Sequence, residues 1–189
     1  DSFTSATVDL VAELDASLVL LAWDGPKWAI DYMFGNDIDS VGQASPVPTI
    51  AAHLIGPWDR IIVQLGHPRT AWQREDLELT ADVVRHLRRG TDAGLVVLCD
   101  DDSTAQAFDY DGDRERRRER TIVVTDHRDH DDVVSQVGPT DLVIVPAHIV
   151  RDMAPWRLRK LVGHLRDTNL AVVGGPHRLT ISQGVTTRS

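Results

Sequence analysis

LVLLAWDGPKWAIDYMFGNDID, residues 18–39, is the stretch on which the fold turns. Its first residues are apolar at consecutive positions, the pattern of a parallel strand covered on both faces by helices. Gly25 and Pro26 break the run. Residues 27–34 suit a short helix, and Gly35-Asn36-Asp37 opens a second helix that runs to Gln43. In a parallel sheet the junction between strand and helix is where ligands sit. Backbone N–H groups and the helix dipole make that junction receptive to phosphate.

Working outward, Ala6, Val8, Leu10, Val11 and Leu14 recur at helical spacing before the strand. After it, Pro46 and Pro48 bracket the entry to a second apolar run at 49–54, and Gly56-Pro57-Trp58 links to the remainder. That remainder is more complete. RIIVQL at 60–65 is a strand, and Thr70 is placed to cap a long helix that buries Leu77, Leu79, Val83, Val84 and Leu87. Further strands are expected at 95–99, 121–125, 141–146 and 170–173, with a short helix at 131–137. A longer helix at 155–166 turns Leu158, Leu161, Val162 and Leu165 inward. Residues 100–120 have little hydrophobic period, and the polar tail, 179–189, is expected to fray. Strand and helix alternate through 59–178, which predicts five parallel strands in a doubly wound α/β sheet. Residues 1–58 supply only helix-strand-helix-strand. A weak internal repeat links the two parts: residues 16–21 and 48–54 resemble 141–145 and 169–173, each pair joined through a helix.

Composition narrows the function. A net charge of −9 argues against a general nucleic-acid or anionic-membrane surface, which needs a basic face. Cys99, the only cysteine, excludes an internal disulfide and a multi-Cys zinc site. It lies in GLVVLCD, which makes it a core residue of a protein in a reducing compartment. There is no apolar run of about 18 residues, and no signal peptide is expected. The opening DSFTSATVDLVAELDA reads as the tail of a helix-bearing unit, so a piece of a longer protein is expected.

The candidate site residues each admit two readings. Ala22, Gly25, Gly35 and Asn36 either form a phosphate cradle, or the glycines serve turns and Asn36 caps a helix. Asp24 and Asp37 would repel phosphate there. Asp126, His127, His130 and Asp131, near Asp100-Asp101-Asp102, either bind a divalent cation through oxygen and imidazole or line a solvated loop. RERRRER at 114–120 is either a dock for an anionic messenger or membrane surface, or a solvated loop whose glutamates cut its charge. Trp28 and Tyr32 share a helical face and suit an interface patch, whereas Trp23, Trp58, Trp72 and Trp156 also suit core gaps. His53, His67, His86, His148, His164 and His177 are scattered. No G-x-x-x-x-G-K-[ST] loop and no G-x-S-x-G elbow is present, so no catalytic residue is assigned and no enzyme is expected.

Ala22, two residues, Gly25, nine residues, Gly35 and Asn36 resemble the phosphate-binding pattern of the universal stress protein family. That pattern has Gly, two residues, Gly, nine residues, Gly and then Ser or Thr. LVLLAWDG, FGNDIDSV, PVPT and IIVQLG are further similar to the tandem units in the cytosolic tails of bacterial cation/proton antiporters. The resemblance implies a three-layer α/β/α sandwich of the adenine nucleotide alpha hydrolase type, with strand order third-second-first-fourth-fifth. It implies a partial unit at 1–58, a complete unit at 59–178, and pairing of 49–54 antiparallel with 170–173 to give seven strands. The implied role is a cytoplasmic regulatory or assembly domain of a sodium or potassium/proton antiporter, tethered to the inner face of the membrane. Its partners would be the membrane transport domain and a second copy, and its candidate ligands ATP, ADP or a cyclic nucleotide. The alternatives are a stand-alone nucleotide-binding stress protein and a ligand-free dimerisation module. The second unit departs from the pattern: Pro146, Ile149 and Arg159 stand where glycines would, Arg157 and Lys160 make the same helix basic, and the first strand ends Gln64-Leu65-Gly66 without an acid.

Overall fold

Five of the seven strands of the sheet run in one direction and two run in the other. The computed structural model describes residues 2–23, 36–66, 68–99, 120–124, 135–154 and 163–176. In chain order the elements are α1 (Phe3–Glu13), β1 (Val19–Ala22), α2 (Asn36–Ala44), β2 (Thr49–His53), β3 (Arg60–Gln64), α3 (Ala71–Gly90), β4 (Gly94–Cys99), β5 (Arg120–Val124), β6 (Asp141–Pro146), α4 (Ala147–Asp152) and β7 (Asn169–Gly174). The sheet order is β1-β2-β7-β6-β3-β4-β5. Within 59–178 the first strand, β3, lies between the second and the fourth, and the fifth strand lies beyond the fourth. The expected pairing of residues 49–54 with 170–173 is present and antiparallel, from Thr49 opposite Gly174 to His53 opposite Leu170.

The strands form where β-branched and leucine runs can be buried on both faces. β6 and β7 are buried at every position. Against one face packs α3, through Leu77 and Val84, over Ile61, Val63, Leu142, Ile144, Ala171 and Val173. Against the other pack Trp23, Val150, Met153 and Leu165, over Ile62, Val143, Val145 and Val172. The first helices cover the same side as this second cluster: Val11 of α1 and Val41 of α2 close over Val19 and Leu21 of β1. Cys99 is buried in the α3-side cluster.

Local signals place the helix ends. Thr70 caps α3 by accepting a hydrogen bond from the Gln73 amide, while the Gln73 side chain accepts from the Thr70 amide, a complete capping box. α1 ends with Asp15 in the left-handed region at φ 49°. The Ala16 amide reaches back to the Val11 carbonyl, and the Asp15 amide to that of Ala12, which satisfies carbonyls the helix end leaves open. One helix departs from expectation. The chain turns helical at Ala147, directly after β6, because Pro146 is held at φ −61° and sits as N-cap with no loop between. Of the helix expected at 155–166, only the end from 163 falls among the described residues, with Leu165 buried.

The register shows how the two parts relate. Val19, Leu20, Leu21 and Ala22 of β1 lie beside Thr49, Ile50, Ala51 and Ala52 of β2. Val143, Ile144, Val145 and Pro146 of β6 lie beside Leu170, Ala171, Val172 and Val173 of β7 in the same parallel register. Superposing 17–22 on 141–146 and 48–53 on 169–174 therefore superposes both pairings. The antiparallel β2–β7 contact then relates the two strand pairs by a local two-fold normal to the sheet, passing through the Ala51–Val172 pair.

Polar contacts fix the start of the parallel strands. Arg60 grips Asp141 bidentately, Nε to Oδ1 at 2.9 Å and Nη2 to Oδ2 at 2.6 Å, and the Gly138 amide donates to the same carboxylate. The hydrogen bond to Asp141 holds the Arg60 guanidinium above its ordinary range. Stability from a raised pKa is complete below the ordinary value and is lost only as pH rises past the shifted one. This pair is therefore intact throughout the neutral range. The buried Asn169 side chain accepts from the amides of Ile55 and Gly56 at 2.8 and 3.1 Å and donates to the Asp141 carbonyl. Asn169→Ala removes all three bonds, with an expected cost of about 1–3 kcal/mol in urea denaturation. An unchanged midpoint would show that the linker at 54–58 is not anchored through this residue.

Candidate functional site

The two strand pairs point in opposite directions, so their ligand-competent ends lie at opposite edges of the sheet. The first edge carries the cradle read from the sequence. Ala22 ends β1 and is exposed, and Asn36 is the first residue of α2. Gly25 and Gly35 lie outside the described residues, as do Asp126, His127, His130 and Asp131, Trp28, Tyr32, Trp156, and 114–119 of the arginine-rich run. Among the described residues no group of three potential ligands is placed to hold a metal ion.

What the structure adds at the first edge is a polar corner beside Ala22. The Trp23 amide donates to the Ala52 carbonyl at 2.8 Å, which carries the β1–β2 ladder past the last strand residue. Trp23 is buried, and its ring meets His53 edge-on with centroids 5.8 Å apart. His53 Nδ1 lies 3.1 Å from the Trp23 carbonyl. A carbonyl only accepts, so Nδ1 is the donor in this contact. The first turn of α2 contains Asp37 and the buried Asp39. These carboxylates occupy the electrically positive end of the helix and oppose a phosphate there.

The second edge, where β3 and β6 diverge, is the switch point of the larger strand group. Gly66 follows β3 there, and a Cβ added to it would meet Ile149 Cδ1 of α4 at 3.4 Å. Ile149 thus lies next to the backbone that follows β3. Gln64, at the end of β3, is buried, and its Oε1 accepts no hydrogen bond among the described residues.

The α3–α4 contact brings together residues that sequence reading left scattered. Asp76 of α3, fully buried, accepts a hydrogen bond from the Gly175 amide at 3.0 Å. Its other oxygen lies 3.7 Å from Nδ1 of the buried His148 in α4. The His148 ring meets Trp72 edge-on at 6.1 Å, and Arg151 stacks on Trp72 with its guanidinium carbon 3.9 Å from the ring centre. Gln73 donates to Asp152 at 2.8 Å. α3 is therefore tied to both the β6–α4 corner and the end of β7. The signal in the sequence was faint: Trp72, Gln73 and Asp76 share one helical face, but nothing in the spacing of His148 points to them.

Both Asp76 and the His148 ring are buried.

No family model and no curated protein matches this chain. Eight chains of known structure match it. One is the crystal structure of a functionally unknown protein, PA1789, from Pseudomonas aeruginosa PAO1. It is 11% identical with a TM-score of 0.57, over 95% of this chain and 70% of that one. At that identity the likeness shows an α/β fold and nothing about activity.

Asp76→Ala deletes the acceptor for Gly175 and leaves His148 facing a void, with an expected loss of about 2–4 kcal/mol. Asp76→Asn keeps an oxygen for the Gly175 amide and should lose less. Equal losses in chemical denaturation would mean that the Gly175 bond is not what the carboxylate secures.

Proposed function

We propose that this chain is a regulatory and assembly domain on the cytosolic side of a membrane ion transporter, a sodium or potassium/proton antiporter. The observation that carries the reading is the antiparallel β2–β7 pairing between two strand pairs of equal register in one chain. In this reading residues 59–178 are a complete universal-stress-protein-like unit, and 1–58 are the back end of a second. The two halves meet through their last strands, which leaves one half free to pack against other parts of an assembly. Among the described residues no helix is long and apolar enough to cross a membrane, so the transport domain would be a separate part of the polypeptide.

Regulation would follow from a ligand that binds one packing arrangement better than another, since equal affinity for both shifts nothing. The first edge, with Ala22, Gly25, Gly35 and Asn36, is the position for ATP, ADP or a cyclic nucleotide. A ligand-free dimerisation module is the second reading.

Two measurements test this. The native polypeptide should carry about 10–14 membrane-spanning helices outside this chain, and a full-length protein without them contradicts the transporter reading. ATP, ADP and cyclic nucleotides should raise the melting temperature in proportion to the logarithm of their concentration, reaching about 2.7 kcal/mol of stabilisation at a hundredfold excess over Kd. A flat response selects the dimerisation module.

A further inference from the structure

We draw no further inference here: the strongest candidate, the exposed apolar face that Phe3, Leu10 and Leu14 form along α1 and its C-cap, is an unpartnered surface, and nothing in the structure shows what covers it.

Discussion

The antiparallel contact of β2 with β7 is the constraint on which this structure depends. Ala51, Ala52 and Ala171 place small side chains at the seam, opposite Val172 and each other. Because the strands meet antiparallel, everything upstream of β2 is inverted relative to everything after β3. Without this contact residues 1–53 would have no shared core with the rest, and the cluster of Val11, Val19, Leu21 and Val41 is too small to fold alone.

The inversion separates the two ligand-competent edges and lets them differ. At one, Ile149 lies next to Gly66, and Asp76 of α3 lies 3.7 Å from His148 of α4. At the other, β1 ends beside His53, whose Nδ1 meets the Trp23 carbonyl, and β1 is an edge strand among the described residues.

Much of the fold was legible because backbone periodicity is local. RIIVQL, GLVVLC and DLVIVP each bury both faces, and Thr70 with Gln73 announces a helix start through side-chain chemistry three residues apart. The β2–β7 pairing was foreseen through family resemblance and the repeat, since nothing in TIAAH by itself says which strand it will meet. The immediate helix after Pro146 was not read, because a proline after a strand signals a turn as readily as an N-cap. The Asp76–His148 contact was invisible, since it joins residues far apart in the chain through tertiary packing alone. The cradle residues Ala22 and Asn36 do stand at a strand end and a helix start, as their spacing implied. The acids of the first α2 turn, however, already occupy the field that a phosphate would use.

The most direct measurement is the pattern of cross-strand nuclear Overhauser contacts between residues 49–53 and 170–174 in the labelled chain. The account predicts antiparallel contacts centred on Ala51 and Val172, with Thr49 near Gly174 and His53 near Leu170. A parallel pattern, or another strand between these two, would contradict the two-fold arrangement and with it the reading of the chain as two inverted arms of one sheet.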